Sequence, residues 1–524
     1  YAGAGAAVVA GAVPAIYHIS VSPFIDHSTI QHNGSLGLYV DASPAAGTIR
    51  ITNNLFNDNL GGGMTLNAKA DSSIIIENNT VTNSGGGNGI KFSVPGYGGA
   101  VTVTASVSNN FVSDNLGKGI WVSLSEPGQG TLTVSNNTIA GNAEEGLKLH
   151  IGGGVEVYGL NNAAAPSTVI ASNNTITGNG DSSYDAVWIK ADACPGHSHQ
   201  FSITDNTIFN NPGRGLYFES TQCWDGDSRG NAVPSILTLS NNYIIQSGTA
   251  LGWEPDDPKG AALYLISLGP MTVTGNRIHN NGSSITESTI WLQPKGPFQD
   301  GGTPAGSIAF KDNQISGNQG TNTITVQEHL DYDIERNSIH DNNTTNDFCS
   351  CGGTSFTWDL DDNWWGANSV ALAESRIFHW TDDITFANVD FIPILTTPPT
   401  TAPPALPTNV AAQTGPTTIA FTWDANLESD IAGYKVHYDT DAAGYPYANS
   451  TDVGNVTSYN LTSLTTSAPA LTAEATGSWG YGPASTSPPC QQSSHTSTPT
   501  CRPACSMMQG PSPGVKYRSS SKTS

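Results

Sequence analysis

Lys190, Asp192 and Glu219 are the residues of this chain whose types and spacing best suit acid–base chemistry. Asp192 and Glu219 stand at nearly equivalent points of two successive sequence repeats, which we expect to lie one strand apart. Their carboxylates would then come within about 8 Å of each other, since neighbouring strands are about 4.8 Å apart. His150, on the preceding repeat, is expected to extend the same group of side chains.

Three kinds of chemistry fit this group of residues. One carboxyl acting as acid and the other as base would hydrolyse a glycosidic bond. Alternatively, the carboxylates would hold Ca²⁺ on a uronate while Lys190 removes the proton next to its carboxyl group. The third interpretation is a ladder of ion pairs that only neutralises stacked charges, because charged neighbours on a sheet usually pair. Ca²⁺ is thus the one cofactor that the sequence suggests.

Two cysteines border the same region at equal offsets from neighbouring aromatic residues. Cys194 follows Trp188 by six residues, and Cys223 follows Tyr217 by six. Equal offsets on adjacent repeats would bring the two sulfur atoms within bonding reach. We therefore predict a disulfide between Cys194 and Cys223, with two free thiols as the alternative.

The segments that follow these cysteines contain weaker signals for metal binding. Asp225 and Asp227 belong to an Asp-Gly-Asp-Ser-Arg-Gly sequence that faintly resembles a calcium loop. Arg229 occupies one of the ligand positions, which weakens that interpretation. His197 and His199 alternate in the earlier segment, but two histidines without a third ligand are weak evidence for a metal site.

A short phrase, Asn-Asn-x-Ile, recurs along the chain and indicates the elements that position these residues. A repeat of this length indicates one small supersecondary unit that buries its apolar face only against its neighbours. The buried Asn of each phrase is expected to bond to its copies above and below. The second position of the phrase falls at residues 28, 54, 79, 110, 137, 174, 206, 242, 276, 313, 337 and 363.

A strand of the form Gly-Ile-x-Leu follows each phrase after a polar, Gly-rich turn, as in Gly119 to Val122. Alternation of period two marks strands with one buried face, and no helical period is present. Stacking such units predicts an all-β fold, a parallel β-helix of about 12 coils. A short helix capped by Ser369 is expected to cover the last coil.

The x residues of these strands form one outward column, in which six of ten residues are aromatic against 8% of the whole chain. Flat rings along a straight strip can stack on the apolar faces of pyranose rings. The alternative is that the rings pack beneath long loops or simply suit β-strands. The column reads Tyr39, Thr65, Lys91, Trp121, Lys148, Trp188, Tyr217, Tyr264, Trp291 and Thr325.

The composition of the 524 residues narrows the classes of partner. The net charge of −24 makes nucleic acid and anionic membrane surfaces poor partners, because neither would be attracted electrostatically. No run of apolar residues is long enough to insert into a bilayer. The acidity, the pairing of cysteines and the appended module favour an extracellular or cell-surface location, and we expect a monomer.

Beyond the repeats, which extend with their cap to residue 395, the chain changes character. Residues 396–407 form a Thr/Pro linker, expected to be extended. Residues 408–487 resemble a fibronectin type III module, complete or incomplete, with Trp423 in the core of a small β-sandwich and Tyr434 to Val436 as a strand. Residues 488–524 are rich in Ser, Thr and Pro and are predicted to be disordered.

The Asn-Asn-x-Ile repeats and the Asn363-Trp364-Trp365-Gly366 ending resemble the right-handed parallel β-helix family that includes pectate lyase-like proteins, over roughly residues 20–395. The resemblance implies a polysaccharide lyase, hydrolase or epimerase that works along an exposed sheet. Arg214 is the nearby candidate for the basic residue of the lyases. The leading hypothesis is a secreted protein that binds and cleaves a polysaccharide; the alternative is a non-catalytic, adhesive rod.

Overall fold

The computed structural model describes residues 14–19, 22–42, 47–94, 101–125, 128–152, 167–181, 183–193, 198–222, 235–249, 260–294, 306–327, 331–351, 357–415, 417–438, 449–462 and 473–478. The chain divides into two compact units. The first consists of Tyr1–Ala405 with Leu427–Asp430, and the second of Leu406–Asn426 with Ile431–Ser524. Each unit is considered by itself.

Three long parallel sheets, here named A, B and C, make up the first unit. Sheet A has thirteen strands: Ile16–Ile19, Leu36–Ala42, Gly62–Ala68, Ile90–Val94, Ile120–Leu124, Leu147–Ile151, Val187–Ala193, Leu216–Gln222, Leu263–Ser267, Ser288–Pro294, Gln319–Gln327, Asn343–Cys351 and Ile377–Phe378. Sheet B has eleven: Phe24–Asp26, Gly47–Thr52, Ser72–Glu77, Val101–Ser108, Gly128–Ser135, Thr168–Ser172, Gln200–Thr204, Ile236–Ser240, Pro270–Thr274, Ser307–Lys311 and Asp331–Glu335. Sheet C has eleven: Thr29–Gln31, Leu55–Asn57, Thr80–Thr82, Phe111–Ser113, Thr138–Ala140, Thr175–Thr177, Thr207–Phe209, Tyr243–Ile245, Arg277–His279, Gln314–Ser316 and Ser338–His340.

Among the described residues, eleven coils each take one strand from each sheet, in the chain order B, C, A, and Ile16–Ile19 and Ile377–Phe378 extend sheet A at its two ends. Each strand pairs with its counterparts in the neighbouring coils. The all-β prediction and the prediction of a parallel β-helix are confirmed. Inward residues alternate with outward ones, so Ile120, Val122 and Leu124 are buried in the strand Ile120–Leu124 while Trp121 and Ser123 point outward. One continuous apolar core therefore runs along the coils.

The predicted asparagine ladder is present and continuous from Asn54 to Asn363. At Asn110, the backbone N–H and the side-chain Nδ2 both donate to Oδ1 of Asn137, each at 3.0 Å. Nδ2 of Asn110 also donates to the carbonyl of Ile76 at 3.0 Å. The eleven ladder asparagines are at most 3% exposed. Each therefore satisfies backbone groups of a turn that would otherwise be buried without partners.

A second ladder lies five residues further on, and the repeat phrase does not predict it. Asn115 donates from its backbone and from Nδ2 to Oδ1 of Asn142, at 3.2 and 2.8 Å. Asn142 does the same to Asn179. The residue before each ladder position has a positive φ, for example 55° at Asn109 and at Asp114. These left-handed residues make the two corners that flank each three-residue strand of sheet C, which explains the many Asn, Asp and Gly residues there.

A cap covers the last coil of the first unit. The helix Val370–Glu374 begins after Ser369, whose hydroxyl accepts the N–H of Leu372, as predicted. Arg376 donates to the carbonyls of Thr344 and Asn342 at 2.6 and 3.1 Å and pairs with the carboxylate of Asp347. These bonds satisfy edge groups that a following coil would otherwise occupy. Short strands Thr357–Asp359 and Asn388–Asp390 pair beside it.

The second unit contains two antiparallel sheets of three strands each. One comprises Ala411–Thr414, Ile419–Thr422 and Ser458–Leu461, and the other Asn449–Gly454, Gly433–Tyr438 and Ala473–Ser478. Trp423, which is 4% exposed, packs with Tyr434 in the core at a ring distance of 5.3 Å. Membership of the fibronectin type III family stays a prediction. In the described part of the chain, none of the helices has the length and apolar character needed to cross a membrane.

The ladder makes a testable prediction about stability. Replacing Asn206 with Ala would leave the backbone N–H of Asn174 and the carbonyl of Ala171 buried without partners. Because each such group costs about 1–3 kcal/mol, Asn206→Ala should lower the free energy of unfolding by about 2–5 kcal/mol in urea titrations.

Thr131→Ala, on the exposed surface of sheet B, serves as the matched control and should change stability by less than about 0.5 kcal/mol. Equal effects of the two substitutions would contradict a stabilising role for the ladder.

Candidate functional site

The outer face of sheet A brings the ten residues of the predicted column into a single file. Trp121 pairs in register with Lys148, Lys148 with Trp188, and Trp188 with Tyr217. Tyr217 continues to Tyr264 and then to Trp291. Residues far apart in the sequence are therefore lateral neighbours, one strand spacing apart.

The rings of this file differ in how much solvent they contact. Tyr217, Tyr264 and Trp291 are only 6–8% exposed and pack edge-on against one another. They form a small apolar cluster separate from the main core. Trp121 and Trp188 are half-buried. The accessible aromatic surface is thus concentrated on the N-terminal part of the file, where Tyr39 is also half-buried and stacks on Tyr17.

Cations lie over several of these rings. Nζ of Lys91 is 4.1 Å from the ring centroid of Trp121, and Nζ of Lys148 is 4.1 Å from that of Trp188. Ammonium groups at this distance are attracted by the ring quadrupole. Burial and the neighbouring charge of Lys118 lower the pKa of Lys91. The file therefore combines aromatic and cationic groups on successive coils.

The predicted acid–base residues occupy the next outward position of the same strands. Nζ of Lys190 is 3.9 Å from Oε2 of Glu219, and the hydroxyl of Tyr217 donates to that oxygen at 2.8 Å. Burial and Glu219 raise the pKa of Tyr217, which keeps its hydroxyl a donor at neutral pH. The ring of His150 meets Trp188 edge-on at 5.9 Å. The structure thus brings Lys190, Glu219 and His150 together on three successive strands.

Several predicted residues cannot be placed with the same detail. The backbone of Asp192 pairs in register with Thr221, two positions beyond the Lys190–Glu219 pair. His199 is buried, and its Nδ1 accepts the N–H of Ser167 at 3.3 Å. The predicted disulfide, calcium loop and remaining histidine lie outside the described residues: Cys194, Cys223, Asp225, Asp227 and His197.

A row of four charged residues stands three positions before the aromatic file, and the sequence analysis missed most of it. Lys118 pairs with Glu145 at 3.3 Å, and Nε of Arg214 pairs with Asp185 at 2.6 Å. The order along successive coils is positive, negative, negative, positive. The position of these residues in the repeat could have predicted the row, because each stands just before a Gly-Ile-x-Leu strand, or before Ala186 in one coil.

This charged row holds the cations against the rings. Glu145 is 5% exposed and also accepts from Nζ of Lys148 at 2.8 Å. Burial opposes the charge of Lys118, but ion pairs with Glu144 and Glu145 raise its pKa overall. The Arg214 guanidinium lies 4.3 Å from the ring of Tyr217 while bound to Asp185. The side chains are therefore fixed in place by paired charges rather than by apolar packing alone.

Within the ranges that the structure covers, no cluster of three or more His, Cys, Asp or Glu side chains has the arrangement of a metal site. Calcium binding at the Asp192 and Glu219 carboxylates accordingly stays a prediction from the sequence.

Comparison with known proteins bears on the fold. A family model described as "Right handed beta helix region" matches residues 12–105. The first unit is a right-handed parallel β-helix. Its stack of three parallel sheets continues well beyond residue 105. No curated protein and no solved structure matches the chain.

The buried pair Asp185–Arg214 should be coupled more strongly than an exposed pair. A double-mutant cycle with Asp185→Ala and Arg214→Ala should give a coupling energy of about 1–3 kcal/mol, since a half-buried charge left alone is poorly solvated. The measurement is the free energy of unfolding of the four proteins.

The matched control is the cycle for Asp41 and Lys69, a pair in which Asp41 lies on sheet A and Lys69, just after the next strand, is 42% exposed. It should give less than about 1 kcal/mol. A coupling no larger for Asp185–Arg214 than for this pair would show that the charged row does not fix the site.

Proposed function

We propose that the protein is an extracellular carbohydrate-active protein that binds a polysaccharide along the outer face of sheet A. The observation that supports this most is the half-buried pair Trp121 and Trp188, in one file with Lys148 between them. The two rings are two strand spacings apart, about 10 Å. Their exposed parts offer apolar surface to sugar rings along one line, with a lysine ammonium over one face of each ring.

Polar partners for the hydroxyls and charges of a sugar stand beside these rings. His150 and Lys190 lie on the next outward position of adjacent strands, and both are half-buried. Tyr39 offers a further aromatic face at the N-terminal end of the file. Tyr217, Tyr264 and Trp291 continue the file beside the site, but they pack edge-on against one another and expose little surface. The proposed ligand path is thus centred on the strands Ile120–Leu124 to Leu216–Gln222.

Cleavage at the Lys190, Asp192 and Glu219 group is the catalytic part of the proposal. In a hydrolase, Glu219 and Asp192 would share the roles of acid and base on the glycosidic bond. In a lyase, Lys190 would remove the proton next to a uronate carboxyl group, with Ca²⁺ held by the carboxylates. The hydrogen bond from Tyr217 to Glu219 fixes one carboxylate in position for either reaction.

A second candidate function is a non-catalytic, adhesive rod with the same binding face. One observation favours it: Glu219 already contacts Lys190, and the charges at the strand starts of sheet A are paired with one another. Paired charges neutralise a surface without any reaction. The fibronectin-like module would then serve as a spacer.

Depletion of the full chain by a panel of acidic and neutral polysaccharides tests the binding face. Removing both accessible rings, with Trp121→Ala and Trp188→Ala together, should weaken binding at least about tenfold, because each ring contributes both burial and stacking. Phe111→Ala is the control, since Phe111 is an exposed ring on sheet C. Retention that is unchanged in the double variant would contradict binding at sheet A.

Release of reducing ends or unsaturated uronates from the retained polysaccharide separates the two functions. Glu219→Gln should abolish release and keep retention. Glu287→Gln changes an exposed carboxylate away from the Lys190, Asp192 and Glu219 group and should alter neither. Retention by the wild-type chain with no release from any polysaccharide would favour the rod.

A further inference from the structure

The outer face of sheet B has a property that the proposed function does not use. Over six successive strands, from Val101–Ser108 to Pro270–Thr274, its outward positions include no charged residue. Serine and threonine predominate there. One file consists entirely of hydroxyl side chains: Ser108, Ser135, Ser172, Thr204, Ser240 and Thr274. This region is named the hydroxyl face.

The chain has a net charge of −24, and none of that charge lies at these outward positions. The boundaries of the face are sharp, because the same file continues to Glu77 on one side and to Lys311 on the other. The five pairings among these six strands show no register shift. The outward positions of these strands therefore present no charge of their own to a surface that approaches them.

The hydroxyls of this face are available for binding. Within the described part of the chain, the six hydroxyls of the file make no hydrogen bond to protein, and all six residues are half-buried rather than enclosed. They repeat at about 4.8 Å across the strands, and a second file lies about 6.7 Å away along them. A hydroxyl can both donate and accept a hydrogen bond, so a regular array of hydroxyls can form hydrogen bonds with a second array of hydroxyls.

We propose that the hydroxyl face adsorbs to the surface of an insoluble neutral polysaccharide. The face has no aromatic residue among the outward positions of these strands, so it cannot grip a single soluble chain by stacking. Individual hydroxyl contacts are weak, and many must form together, which a solid with a repeating surface permits. A charged polymer would gain nothing from a face without charges. The two faces share no residue, so either one can fail without the other.

Depletion of the full chain by microcrystalline cellulose and by insoluble chitin tests the proposal. Thr133→Lys with Thr238→Lys places two charges on the hydroxyl face, three strands apart. Because a charge pressed against a neutral solid loses its water, the partition coefficient should fall at least about tenfold. The control is Thr80→Lys with Thr175→Lys, the same change at the same strand separation on sheet C.

Adsorption of the wild-type chain and of the sheet C control, with loss in the sheet B variant, would support the proposal. Thermal unfolding of the three proteins should coincide, which excludes misfolding as the cause. Adsorption that persists in the sheet B variant, or a wild-type chain that neither solid depletes, would overturn it. Inhibition of ice growth without adsorption to either solid, or reversible dimerisation that only the sheet B variant loses, would overturn it in favour of those partners.

Discussion

The hydrogen bond between asparagine side chains of successive coils is the interaction on which the rest of this structure depends. Each ladder asparagine uses one oxygen to accept from the coil before it and one nitrogen to donate to the coil after it. A backbone carbonyl at the end of sheet B takes the remaining N–H. The bond can form only when adjacent coils stand in register. The ladders therefore set the lateral alignment of everything the coils display.

That alignment explains how repeats of unequal length form a regular surface. Ladder asparagines are separated by as few as 24 residues, between Asn313 and Asn337, and by as many as 37, between Asn137 and Asn174. The sheet A and sheet B registers stay unshifted across both intervals. Extra residues are accommodated between the aligned segments. The chemistry that this fold can perform therefore depends on which outward residues of neighbouring strands stand in register, as Lys190 and Glu219 do.

Much of this arrangement was predictable from the sequence. The Asn-Asn-x-Ile phrase predicts the first ladder, and period-two alternation predicts which residues of the sheet A strands point outward. The second ladder was not predicted, because Asn115 and Asn142 follow the sheet C strands and stand outside the Asn-Asn-x-Ile phrase. What the corners of the two ladders share is a left-handed backbone at the residue before the ladder position.

Burial and charge pairing were less predictable, for a physical reason. The alternation of inward and outward positions assigns a residue to a face of the sheet but does not show what covers that face. Trp188 and Tyr264 therefore look equivalent in the sequence, although only Tyr264 is nearly enclosed. The row from Lys118 to Arg214 depends on side chains of different coils reaching each other. Such contacts follow from lateral neighbours rather than from any local motif.

Hydrogen exchange at the ladder gives the most direct test of this account. The backbone amides of Asn110, Asn137 and Asn174 lie in turns, where exchange is ordinarily fast, yet each donates to the buried oxygen of the next asparagine. They should exchange as slowly as the central strands of sheet B. Exchange at the rate of open turns would mean that coils are not held in register by these side chains, and the files of lateral neighbours would lose their foundation.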